Sequence, residues 1–149
     1  MKSASSWINN CLWEHPEITP ALTKELHFFD DDSNYKKGVE YYLTFFNPAE
    51  GTITGEITPS YLYDTKVPSR IYSNFPNVKL VVCLRNPADR AWSEYRYAVE
   101  TSGRLSIYGS FLDAISNDSS LIDHGRYAQQ IKGFLESVSY THLTLPTKA

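Results

Sequence analysis

Val78-Lys79-Leu80-Val81-Val82-Cys83-Leu84-Arg85-Asn86-Pro87-Ala88-Asp89-Arg90-Ala91-Trp92-Ser93-Glu94-Tyr95 is the stretch that decides the fold. Its first seven residues, three of them β-branched valines, are almost continuously apolar, the pattern of a parallel strand buried on both faces. Asn86 is a good helix N-cap, Pro87 fits the first helical position, and Asp89 suits the positive end of the helix dipole. The stretch therefore predicts a strand over 78–84 that turns directly into a helix over 87–100. Arg85 falls at the carboxyl end of that strand, the edge where open α/β sheets bind ligands. Arg90, Ser93 and Tyr97 share one helix face, and Ala91, Trp92, Tyr95 and Val99 pack the other.

Working outward, helices are expected at 5–14, 35–46, 65–74, about 109–116 and 125–136, from apolar residues at helical spacing. Trp7, Ile8, Cys11 and Leu12 form the apolar face of the first, and His15-Pro16 closes it. Val39, Tyr42, Leu43 and Phe46 point inward from the second, and Val67, Ile71 and Phe75 from the third. Residues 24–29 are expected to be extended, and 53–57 to form a strand. Asp30-Asp31-Asp32 and Ser116 to Ser120 are expected loops. Strands alternating with helices give an α/β class: three layers, a mainly parallel sheet flanked by helices.

The 149 residues suffice for one core, and 42% apolar with 21% charged residues is ordinary globular usage. The longest aliphatic run, Leu80 to Leu84, is too short to cross a bilayer. No leader-like pattern opens the sequence. Two cysteines make no disulfide framework, and apolar neighbours suggest that Cys11 and Cys83 are buried thiols. The net charge of −3 hides an asymmetry: residues 14–64 carry 10 acidic and 3 basic side chains, residues 66–104 carry 3 and 7. A basic segment either lies in solvent or meets an anion. Its spaced charges and the acidic total do not fit a nucleic-acid surface.

Three stretches carry chemistry. Arg85 and Ser93 suit one phosphate, because a guanidinium forks onto its oxygens and a hydroxyl adds a neutral donor; a carboxylate partner for Arg85 is the plain alternative. Lys2-Ser3-Ala4-Ser5-Ser6 opens a helix whose free N–H groups attract an anion, although an exposed tail would read the same. In Lys24-Glu25-Leu26-His27-Phe28-Phe29-Asp30, an extended backbone puts Glu25 and His27 on one face, as a general-base pair or as an ordinary surface pair.

Together these stretches resemble the sulfotransferase superfamily, in its heparan-sulfate-type and bacterial branch. The family pattern runs from a Lys-x-Gly-Thr-Thr loop to His-Pro, matched by Lys2 to Ser6 and His15-Pro16. Lys-Glu-x-His-Phe-Phe-Asp follows at Lys24 to Asp30, then Glu56-Ile57-Thr58-Pro59-Ser60-Tyr61, Val67-Pro68-x-Arg70-Ile71, and the element from Arg85 to Tyr95. The resemblance covers residues 2–136 and implies a P-loop-like sulfotransferase fold using 3'-phosphoadenosine 5'-phosphosulfate without a metal. It implies that Lys2, Ser3, Ala4, Ser5 and Ser6 hold the 5'-phosphosulfate, with Lys2 also neutralising the leaving oxygen. Arg85 and Ser93 would hold the 3'-phosphate, Glu25 would take the acceptor's proton, and His27 and Asp30 would support it. Ala4 stands in place of the loop glycine, Ser5-Ser6 of the threonines, and Ile57 of a lysine carried by several glycan-modifying members. The implied acceptor is a hydroxyl or amine, on a carbohydrate for this branch. Loops 30–35 and 97–108 are expected to set specificity. A nucleotide kinase is the first alternative, but a strand ending in Arg85 lacks the aspartate a Mg-nucleotide enzyme would place there. A non-catalytic glycan-binding relic is the second.

The pattern is expected to be incomplete at both ends, with a partial domain over 1–136 that transfers no sulfate alone. A compartment is not legible: cytoplasm would follow for a bacterial protein, Golgi lumen for a eukaryotic glycan-modifying one. Residues 137–149 resemble the translation of a sequencing-library transposon adapter, notably Ser139-Tyr140-Thr141-His142-Leu143-Thr144-Leu145-Pro146-Thr147. The coding DNA tests this: adapter codons are expected over that stretch, and unrelated codons would contradict it.

Overall fold

A computed structural model describes residues 5–137. The elements in order are α1 (Ser5–Trp13), β1 (Ile18–Pro20), α2 (Asp32–Tyr35), α3 (Val39–Leu43), β2 (Ile53–Gly55), a 3₁₀ turn (Pro59–Leu62), α4 (Val67–Asn74), α5 (Pro87–Tyr97), a π turn (Ala98–Ser102), α6 (Phe111–Asn117), α7 (Ser120–Asp123) and α8 (Tyr127–Ser137). The class is mixed α/β, mostly helical. Strands β1 and β2 pair in parallel, Ile18 opposite Ile53 and Pro20 opposite Gly55.

The expected three-layer sheet is not formed among the described residues. Residues 78–84 make no strand, and Val81 is 84% exposed. Composition marks a segment fit for burial between neighbours, but a strand exists only through hydrogen bonds to another segment. No described strand pairs with this one. Cys83 is exposed with it, and so is Cys11 on α1, so neither thiol is buried. On α1, Trp7 is 69% exposed and the buried residue is Asn9, reversing the expected face. The single helix expected over 35–46 is two short helices. Gly38, at φ 84°, breaks them in a conformation that costs glycine little. Leu43 consequently faces outward. The polar run at 116–120 is no simple loop, because it ends α6 and begins α7.

Other expectations hold. Asn86 caps α5 by accepting from the N–H groups of Ala88 (2.9 Å) and Asp89 (3.3 Å), with Pro87 in the first turn. Val67 and Ile71 bury the inner face of α4, with Phe75 packed against them. They join Phe28, Phe29 and Tyr42 in the first core cluster, and α8 contributes Phe134. A second cluster gathers Ala98, Leu105, Ala114 and Leu121, flanked by Tyr95, Val99 and Phe111.

Arg90 ties that second cluster to α5. Its side chain is fully buried, donates to Glu94 one helical turn on, and donates to the carbonyl of Leu121 in α7. Glu94 also meets His124 (3.5 Å) and Arg104 (3.8 Å). Burial pushes the Glu94 carboxyl up, but the His124 bond and the His124 and Arg90 charges outweigh it and hold it below the ordinary value of 4.5. The stability Glu94 supplies is therefore present above that value and is lost as pH falls through the lowered one. Truncating Arg90 takes one cation from Glu94, leaves the Leu121 carbonyl without its donor and opens a void in the packed interior. We expect Arg90→Ala to cost about 3–5 kcal/mol in urea denaturation. Arg96→Ala, which breaks the exposed Arg96–Glu100 pair, should change stability by under about 1 kcal/mol. Equal effects would contradict this account.

Candidate functional site

The site is built on Phe28 and Phe29, both almost fully buried. Phe28 stacks on Tyr42 at 4.7 Å between ring centroids, and Phe29 meets Tyr61 edge-on at 5.6 Å. Two apolar anchors in succession cannot both point inward from an extended strand, where neighbours alternate faces. The backbone solves this by leaving the extended region. Glu25 (φ 59°) and His27 (φ 48°) lie in the left-handed region, the only described residues other than glycine to do so. The extended segment expected over 24–29 is thus corrected.

Such a conformation costs about 1–3 kcal/mol per residue and persists only where the surroundings enforce it. Here they do. The Glu25 N–H donates to the Ile57 carbonyl at 3.1 Å. The N–H groups of Phe28 and Phe29 both donate to the Tyr61 hydroxyl, at 2.9 and 3.2 Å. Asn34 donates to the His27 carbonyl and Arg70 to that of Phe29. Tyr61 in turn donates to Glu56 at 2.9 Å, as Tyr42 does, and Thr58 donates to the other Glu56 oxygen at 2.6 Å. Burial raises the Glu56 carboxyl pKa against those bonds, and burial beside Glu56 raises both phenols.

This framework delivers Glu25, His27 and Asp30 to one place. Glu25 and His27 are half-exposed, with His27 Nε2 4.0 Å from Glu25 Oε2. Their pairing, expected from alternation, arises instead from two left-handed turns. His27 Nδ1 lies 2.9 Å from Asp30 Oδ2, and the Ser60 hydroxyl donates to the same oxygen at 2.5 Å. A carboxylate acceptor at Nδ1 favours the tautomer protonated there, turning the Nε2 lone pair toward Glu25. Lys24 Nζ lies 3.1 Å from Glu25 Oε1 and donates to Ser6 Oγ at 3.1 Å. One ammonium thus links the start of α1 to the carboxylate.

Lys2, Ser3 and Ala4 lie outside the described residues. Ser5 and Ser6 open α1, where free N–H groups point outward. Arg85 is exposed immediately before the Asn86 cap, and Ser93 is half-buried on α5. Sequence reasoning quoted Lys24 and Glu56 to Tyr61 within motifs but gave no role to Lys24, Ser60 or the Glu56–Tyr61 network. The clustering of Glu56, Thr58 and Tyr61, a carboxylate with two hydroxyls close behind it, was the available signal.

Cationic and hydroxyl donors beside a helix start, with an exposed arginine elsewhere, form a donor set chemically suited to an anionic nucleotide. No helix of the described residues is long and apolar enough to cross a membrane. Comparison with known proteins gives the family. Residues 1–144 match the family described as sulfotransferase domain. The human heparan sulfate glucosamine 3-O-sulfotransferase 5 is 40% identical over 93 residues, covering 60% of this chain and 26% of that protein. The human heparan sulfate glucosamine 3-O-sulfotransferase 6 is 32% identical over 134 residues, covering 86% of this chain and 38% of that one. The crystal structure of a sulfotransferase from Alicyclobacillus acidocaldarius aligns with a TM-score of 0.74 at 26% identity, over 91% of this chain and 65% of that chain. The chain thus spans about a quarter to two-fifths of the length of these two curated relatives. With the fold, the family match and the Lys24–Asp30 constellation in agreement, the chain belongs to the sulfotransferase domain family.

Proposed function

We propose that the full-length protein carrying this chain transfers a sulfuryl group from 3'-phosphoadenosine 5'-phosphosulfate to a hydroxyl or amine of a glycan acceptor. The observation that carries this reading is the Lys24 bridge, because one ammonium reaches both Ser6 at the start of α1 and the Glu25 carboxylate. Lys2, Ser3, Ala4, Ser5 and Ser6 hold the 5'-phosphosulfate, and Arg85 with Ser93 holds the 3'-phosphate. Glu25 accepts the acceptor's proton as the new S–O or S–N bond forms. The donor supplies an activated sulfuryl group, whose bond to the 5'-phosphate oxygen breaks in the same displacement. Asp30 fixes the His27 ring, and Ser60 fixes Asp30, so His27 Nε2 stays aimed at Glu25 and at the arriving proton. Such a reaction asks the protein mainly to position reactants and neutralise charge, which is what this constellation offers.

The chain covers 26% and 38% of the lengths of the two curated relatives, so the activity proposed is that of the whole protein. The assay therefore uses the full-length protein. We expect Glu25→Gln to lower turnover about 10²–10⁴-fold while leaving the affinity for adenosine 3',5'-bisphosphate unchanged, measured by calorimetry. Unchanged turnover would remove Glu25 as the base. Turnover with ATP-Mg instead would support a kinase, and glycan binding without turnover in the unmutated protein would support a relic.

A further inference from the structure

A cavity of about 480 Å³ opens between the 3₁₀ turn with the start of α4 and the α7–α8 corner. It falls outside loops 30–35 and 97–108, where the sequence led us to look for specificity. Its volume lies within the range of about 300–1,000 Å³ common for ligand sites. Tyr63 forms one wall, with the His124 ring stacked 4.0 Å away on one face and about two-fifths of the residue still exposed. Gln130 presents a buried side-chain oxygen with no hydrogen-bond partner, while its nitrogen is spent on the Asp123 carbonyl. A buried acceptor left open in a polar cavity calls for a donor from a ligand or from water.

The cavity is joined to the reactive constellation. Ser60, bonded to Asp30, is the second residue of the 3₁₀ turn whose C-cap is Tyr63. At a rise of about 2 Å per residue, about 6 Å of backbone separates them. The Tyr63 phenol responds to this proximity: burial raises its pKa first, and the charges of Glu94, Asp30, Asp64 and Glu25 add to that.

Charge selects the ligand class. Asp64 and Asp123 line the cavity with Arg126 and His124; Arg126 Nε lies 3.2 Å from Asp123 Oδ1, and His124 Nδ1 lies 3.5 Å from Glu94 Oε1. Among the described residues each lining cation already faces a carboxylate, whereas carboxylates and amides readily accept hydrogen bonds from hydroxyls. A saccharide offers hydroxyl donors at its edge and C–H groups on its face for an aromatic wall. From this lining we infer that the Tyr63 cavity is an acceptor subsite for a neutral, hydroxyl-rich saccharide unit, rather than for a sulfated or uronate-bearing one. The inference rests on the sulfotransferase reading and names its acceptor class.

The test is calorimetric titration of the full-length protein with cellotetraose, chitotetraose and a heparin-derived tetrasaccharide, each with and without adenosine 3',5'-bisphosphate. We expect at least one neutral tetrasaccharide to bind tenfold or more tightly than the heparin-derived one. Tyr63→Ala should weaken it tenfold or more while leaving adenosine 3',5'-bisphosphate affinity within twofold. Gln129→Arg, on the exposed face of α8, places a cation at the cavity and serves as a second variant with no buried contact to lose. It should narrow or reverse the preference for the neutral saccharide. Equal or tighter binding of the heparin-derived tetrasaccharide, no neutral binding, or indifference to both variants would overturn the inference. Loss of adenosine 3',5'-bisphosphate binding by the unmutated protein would instead overturn the sulfotransferase reading, so the two failures are distinguishable.

Discussion

The Tyr61 hydroxyl is the atom on which the site depends. It donates to Glu56 and accepts from the N–H groups of Phe28 and Phe29, so one oxygen joins a partly buried carboxylate to the loop that carries Glu25, His27 and Asp30. A hydrogen bond to a charged acceptor is worth about 1.5–3 kcal/mol, the same order as the strain of one left-handed residue. The two aromatic rings of that loop enter the core, and its backbone polar groups are met by Tyr61, Ile57, Asn34 and Arg70. Strain at Glu25 and His27 is thereby held in place by contacts to the backbone, which leave both side chains half-exposed.

The same arrangement links fold to chemistry across long sequence distances. Residues 56–63 do three things in succession. Glu56 to Tyr61 fix the loop of Glu25 to Asp30, Ser60 orients Asp30 and His27, and Tyr63 walls the cavity. The 3₁₀ turn thus sets the spacing between Ser60, which holds Asp30, and Tyr63 at the cavity. The second cluster is organised separately, around the buried Arg90 and its carbonyl and carboxylate partners, and it holds α7 and the His124 ring that backs Tyr63. Gly125 sits at this corner, where a Cβ would come within 3.1 Å of Pro87 and 3.2 Å of the Ile122 carbonyl.

What the sequence made legible was local. The Asn86–Pro87 start of α5 follows from capping chemistry, and the inner face of α4 from the spacing of Val67, Ile71 and Phe75. Glu25 and His27 were recognised as a pair for the wrong geometric reason, since nothing in a glutamate or a histidine announces positive φ. The Tyr61 contacts span 32 and 33 residues and leave no local pattern. Residues 78–84 show the opposite limit: their composition states a preference for burial, yet pairing is a property of two segments and only one is described. Trp7 and Leu43 faced outward for a related reason, because periodicity says that a helix has an apolar face and not what covers it.

Amide hydrogen exchange at Phe28 and Phe29 tests the central role of Tyr61 most directly, comparing the full-length protein with its Tyr61→Phe variant. Removing the hydroxyl leaves both N–H groups without their acceptor and should open the loop locally, by roughly 1–3 kcal/mol. The account predicts that exchange at both amides accelerates about tenfold or more while the amides of α5 and α8 keep their protection. Unchanged exchange at Phe28 and Phe29, or uniform acceleration across the whole chain, would contradict it.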